Sequence, residues 1–152
     1  MECRDVKYYL EKFKKLNCAF VHGHKILAKP FLILAIIEII GDGRCTENKF
    51  EWEAGCFEDL KEAFEDQHYR YQPNNYLTPI FKPFYHLSHD GFWHLNFIDG
   101  QIHKTINSNK SLRDLKAFAH LDPPLWDLLQ NASVRDEFRE QIINFFIKKK
   151  TD

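Results

Sequence analysis

The chain of 152 residues has no apolar run long enough to cross a bilayer. The longest, PFLILAIIEII from Pro30 to Ile40, is about half of what a spanning helix needs and carries Glu38 inside it. The N-terminal stretch MECRDVKYYLEKFKK has neither an apolar core nor a small-residue cleavage site. A secretory leader and membrane partners are therefore not expected, and a reducing, cytoplasmic setting is. The four cysteines, at 3, 18, 45 and 56, form no CxxC pair, so the expectation is buried thiols without disulfides. Glycine and proline number only six each, and low complexity is confined to KKK at 148–150, which argues one folded domain over 1–152. Also missing are a glycine-rich phosphate loop, a GxSxG elbow and a cysteine flanked like a nucleophile. No catalytic set and no cofactor site emerge, so an enzyme is not expected.

What the chain does have is bulk and uneven charge. Apolar residues make up 44%, aromatics 15% and charged residues 28%, the balance of a globular protein with an aromatic core. The net charge of −1 divides sharply along the sequence. Residues 1–30 hold seven Lys/Arg against three Asp/Glu, 38–68 hold three against ten, and 69–121 hold six against three. The basic blocks also contain His22, His24, His86, His89, His94 and His103. A neutral total thus leaves room for a face that meets a polyanion.

Val6, Leu10, Phe13, Leu16 and Phe20 recur at helical steps and predict a first amphipathic helix, followed by a loop over 20–28. Pro30 suits the first turn of a second helix, apolar on every face until GDG at 41–43 stops it. Cys56 to Gln67 predicts a third helix with Phe57, Leu60 and Phe64 inward and acids outward; residues 68–83, with three prolines, read as irregular. Alternation around Asp90-Gly91 and Asp99-Gly100 predicts a three-stranded meander over 84–106. Ser111, Asp122 and Ser133 signal three C-terminal helices over 111–119, 123–130 and 134–148. The expected class is α+β, mainly α: a helical domain with a small antiparallel β-meander, winged-helix-like in order. The acidic third helix is nevertheless wrong for a major groove, so any nucleic acid is expected at the basic loops 22–29 and 82–89.

KPFYHLSHDGFWHL, residues 82–95, is the densest aromatic and histidine stretch. Strand alternation would send Phe84 and His86 to one side. That side is either a second small core or a shallow apolar depression walled by Pro83 and Phe84, with Lys82 and His86 at its rim. Histidine spacing supports no specific metal site, although His22, His24, His86, His89 and His94 invite one. A His-Asn-His nuclease centre from His94, Asn96 and His103 lacks the helix that should carry its last ligand.

KPFLILAIIEII at 29–40, KPFYHLSHDGFWHL at 82–95 and LDPPLWDLLQNASVRDEFREQIINFF at 121–146 together resemble the N-terminal domain of McrA-type HNH restriction endonucleases, from about Val6 to Phe146. That domain is similar to the sulfur-binding domains, which recognise phosphorothioated DNA. The resemblance implies that Pro83, Phe84 and His86 of the Pro83-Phe84-Tyr85-His86-Leu87 motif form the sulfur pocket. It also implies a DNA contact at Lys29, to which the basic loops add His24, Lys25, Lys82 and His89 as expected contacts. Where the family often has His before its lysine, this chain has Ala28, so that contact is either absent or supplied by His24 or Lys25. The HNH half is missing. The implied function is a non-catalytic, cofactor-free module of a restriction system that binds phosphorothioated double-stranded DNA and works with a nuclease domain or subunit. The alternative is a protein-interaction module whose aromatic patch docks a partner such as a nuclease subunit.

Overall fold

The computed structural model describes residues 4–101, 103 and 108–148. Its axis is helix α2 (Ala28–Gly41), which the sequence makes apolar on every face and the fold buries on every face. Helices α3 (Phe57–Tyr71), α4 (Phe81–His86) and α7 (Ala132–Ile142) pack around it, and α1 (Val6–Lys14) lies on α7. Phe13 meets Phe92 and Phe138 edge-on at 5.3 and 5.2 Å, which closes the core between α1 and α7. Outward, α3 presents Glu58, Glu62 and Asp66, and Arg44 gathers Glu38, Asp42, Asp59 and Glu62 around one guanidinium.

The class is α+β and mainly helical, as expected, but the strands come from other segments. Among the described residues of 84–106, only β4 (Trp93–Asn96) is a strand. It pairs antiparallel with β5 (Phe118–Leu121), which pairs antiparallel with β3 (Phe50–Glu51), giving the order β3-β5-β4. The expected meander is therefore corrected to a sheet assembled across the chain, and among the described residues no hairpin follows α3 to make a wing. Residues 102 and 104–107 of the expected third strand lie outside the described residues.

Residues 81–86 are helical and Leu87–Asp90 continue as a 3-10 turn, which Gly91 ends at φ 92°. Pro83 sits in the first turn, where its missing N–H costs nothing, and Phe84 N–H donates to the Ile80 carbonyl at 3.0 Å. The segment's spacing is helical after all: Phe84 and Leu87 point inward, while Lys82, His86 and His89, four and then three residues apart, point outward. Asp90-Gly91 closes a helical turn and not a hairpin.

Elsewhere the bounds shift for local reasons. The first helix ends at Lys14, and Phe20 opens a two-stranded hairpin, β1 (Phe20–Val21) with β2 (His24–Lys25), in place of the expected loop. Its two-residue turn is His22-Gly23, both at positive φ, the geometry that suits strand twist. Helix α3 runs past Gln67 because His68 is buried, with Nε2 3.0 Å from the Asn75 carbonyl and its ring against Phe31. Helix α5 (Asn109–Asp114) is capped by Ser108 and gives way to β5, so the expected helix over 111–119 is shorter. Helix α6 (Pro123–Leu128) starts after Asp122 as expected, and α7 is capped by Asn131 ahead of Ser133, then loosens into wider turns over Ile143–Lys148.

Candidate nucleic-acid interface

Lys29 lies in the first turn of α2 and is buried; its Nζ donates to Asp90 Oδ2 at 2.6 Å. The other oxygen of Asp90 accepts from the Asn17 backbone N–H at 3.3 Å. One carboxylate thus ties together the segment after α1, the start of α2 and the turn after α4. Those three segments surround a hollow of about 370 Å³. Its apolar lining is Ala19, Ile26, Ala28 and Pro83, with Cys18, Asn17 and Thr78 between them. Lys29, Lys82, His86 and His89 supply its nitrogen groups, and the last three are exposed at its edge.

Electrostatics sharpen this picture. Loss of hydration, together with the charges on His89, Lys29 and Lys82, holds the His86 imidazole below its ordinary range. At neutral pH it is an uncharged ring, one face of which is 5.7 Å from His89 centre to centre. Burial pushes the Cys18 thiol up against the opposing pull of Lys25 and Lys29, so it stays uncharged. The hollow therefore combines a dry, polarizable wall with positive charge carried by lysine.

The start of α2, α4 and the 3-10 turn after it gather Lys29, Lys82, Pro83, His86 and His89 around one depression. Phe84 is not among them. It is 0% exposed, packs edge-on against Trp52 and Trp93 at 5.0 and 5.4 Å, and its carbonyl accepts from Trp93 Nε1–H at 2.8 Å. The expectation that it walls the depression is corrected: it shares no face with His86, because in a helix residues two apart diverge. Phe84 instead anchors the inner side of α4.

His24 and Lys25 stand on the exposed hairpin beside the hollow and not in it. Lys25 Nζ lies over the rings of Phe20 and Phe146 at 5.9 and 5.6 Å. His24 borders a second hollow of about 320 Å³, which shares Ile26, Ala28 and Thr78 with the first. Thr78, Asn17 and Cys18 carry no motif, and sequence reasoning missed them. Only Thr78 has a local signal, the Pro- and Asn-rich run before Lys82; Asn17 and Cys18 have none.

The His94, Asn96 and His103 set does not assemble as a nuclease centre. His94 Nε2 is 2.5 Å from Asp122 Oδ1, whereas His103 Nε2 is 2.9 Å from Asp99 Oδ2 and its ring packs on Phe97. Among the described residues no three His, Cys, Asp or Glu side chains are placed to hold a metal ion.

No protein-family model and no curated protein matches the chain. Solved structures do share its fold. The sulfur binding domain of SprMcrA complexed with phosphorothioated DNA has a TM-score of 0.68 and 19% identity, covering 93% of this chain and 85% of that one. The sulfur binding domain of ScoMcrA, likewise complexed with phosphorothioated DNA, has a TM-score of 0.69 and 15% identity, covering 91% and 86%. The fold implied by the sequence resemblance is the fold observed.

Proposed function

We propose that the chain is a non-catalytic module that recognises phosphorothioated double-stranded DNA, seating the sulfur in the hollow between the start of α2 and α4. The observation that carries this reading is the hollow itself: apolar Ala19, Ile26, Ala28 and Pro83 beside lysine charge, on a fold shared with two domains described with such DNA. Sulfur in place of a non-bridging phosphate oxygen is larger, more polarizable and more weakly hydrated. It loses little on entering a dry pocket, whereas an oxygen there forfeits hydration worth about 1–3 kcal/mol. That difference amounts to roughly 5- to 150-fold in affinity.

The residues divide by task. Pro83 and the His86 ring offer contact surface to sulfur, and Lys82 and His89 meet the phosphate oxygens beside it. Lys29, already paired with Asp90, shapes the wall. Lys25 and His24 on the hairpin reach flanking phosphates, which adds affinity without sequence information. Cutting, in this reading, belongs to a nuclease domain or subunit of a restriction system.

The test is titration of the full chain with two duplexes that differ in one phosphorothioate. Tighter binding of the sulfur-bearing duplex by the stated factor is expected. Equal affinities would remove the sulfur reading and leave a general DNA binder; no binding to either duplex at low salt would favour a protein-docking surface.

A further inference from the structure

Away from that hollow, Cys45 and Cys56 bring their sulfurs to 3.2 Å. Cys45 follows the turn that ends α2, and Cys56 is the residue just before α3. Between them the chain makes β3, the edge strand of the sheet, so the two thiols close a loop around that strand. From this geometry we infer that Cys45 and Cys56 are a reversible oxidation site, a dithiol that peroxide converts to an intramolecular disulfide.

Three features support the assignment. The sulfurs need to approach by only about 1.2 Å to reach disulfide distance. The pair is reachable: Cys56 is half-buried, and a hollow of about 210 Å³ lined by both cysteines opens between Arg44, Glu47, Lys49 and Glu51. The two groups are also unequal. The hydrogen bond that joins the two thiols, with the Cys56 backbone N–H, holds the Cys56 thiol below its ordinary range. That same hydrogen bond, followed by burial, pushes Cys45 up. Cys56, half-buried beside a buried Cys45, is the sulfur that peroxide reaches, so it attacks and Cys45 resolves.

The chemistry balances with one peroxide. The Cys56 thiolate attacks a peroxide oxygen, the O–O bond breaks, and hydroxide leaves to be protonated to water. The product is the Cys56 sulfenic acid. The Cys45 sulfur then attacks the Cys56 sulfur, the S–O bond breaks, and a second water leaves with the Cys45 proton. Two thiols are oxidised and one hydrogen peroxide is reduced. A thiol reductant reverses the step.

The experiment treats the reduced full chain with hydrogen peroxide, alkylates it and maps the peptides. The expected result is loss of two of the four alkylatable thiols, a Cys45–Cys56 cross-link lighter by two hydrogens, and full recovery with dithiothreitol. Cys56→Ser should abolish the reaction. Cys45→Ser should trap the Cys56 sulfenic acid, detectable with dimedone even if the variant is less stable. Oxidation should also raise the melting temperature, since the bridge restricts the unfolded chain. Four alkylatable thiols after a treatment that oxidises free glutathione would overturn the inference. So would a cross-link to Cys18, or sulfinic acid on Cys56 without a bridge. None of these readouts uses DNA, so the inference stands or falls apart from the function proposed above.

Discussion

Lys29 shows how a cation at a candidate binding surface can be structural first. Its ammonium and the Asp90 carboxylate are both nearly out of solvent, and their ion pair ties three chain segments at the hollow's edge. Lys29→Ala would leave Asp90 buried without its partner, and a loss of about 3–5 kcal/mol in denaturant melts is expected. Lys29→Met combined with Asp90→Leu should recover much of that, since it removes both charges. Phe84→Ala belongs to the same class. With no exposed surface and two tryptophans against it, truncation opens a core cavity, for an expected loss of about 3–5 kcal/mol. His86→Ala, on the opposite side of the same helix, should change stability by less than about 1 kcal/mol. It should reduce the preference for the phosphorothioated duplex and leave the plain duplex almost unaffected. A large loss of stability with an unchanged preference would place His86 in the scaffold and not in the pocket.

At the scale of elements, α4 and the β1–β2 hairpin divide the work of a surface between them. Helix α4 is short, yet it turns Lys82 and His86 outward on one side and Phe84 inward on the other. The hairpin holds His24 and Lys25 clear of the core on a two-residue turn. Lys82→Ala and Lys25→Ala should each weaken binding to both duplexes alike. Each should also reduce the slope of log affinity against log salt by about 1 if one phosphate contact is lost. Salt titrations of the two variants check this; an unchanged slope would remove that lysine from the interface. Capping follows the same logic farther away. Asn131 Oδ1 accepts from Val134 N–H at 3.1 Å, so Asn131→Ala should cost about 1 kcal/mol without touching DNA affinity.

Across the whole molecule, Asp122 is the carboxylate that joins the N-terminal helix to the sheet. It accepts from Arg4 at 2.9 Å and from the Tyr9 hydroxyl at 2.8 Å, and it meets His94. Burial alone would raise its pKa, but the hydrogen bonds from His94 and Tyr9 and the charges of His94 and Arg4 outweigh it and hold it below the usual carboxylate range. A depressed carboxylate contributes stability above its unfolded pKa and loses it as pH falls through the folded value, so this term fades below about pH 4. His86 and His120, both held low with desolvation as the first cause, act earlier. The unfolded chain takes up their protons more readily, so stability begins to fall once pH drops below about 6.5. Denaturant melts from pH 8 to 3 should show two successive declines. His120→Gln should flatten the first, and Asp122→Asn the second.

The buried α2, the acidic face of α3, the proline-led start of α6 and the mainly helical class are all legible in the order of the amino acids. Each rests on local periodicity or on a cap that neighbours in the chain suffice to define. The sequence also brought Lys29, Lys82, Pro83, His86 and His89 to notice as residue types. Tertiary structure alone decided what they share. Residues 84–90 alternate well enough to pass for a strand, but a strand needs a partner. β4 finds its own in β5, more than twenty positions along the chain, with register Trp93↔Leu121. That pairing and the packing of Phe84 between Trp52 and Trp93 make 81–86 a helix, turn Phe84 inward and leave His86 outside. The hollow then depends on Asn17, Lys29 and Asp90 meeting across the fold, a contact that no local pattern encodes.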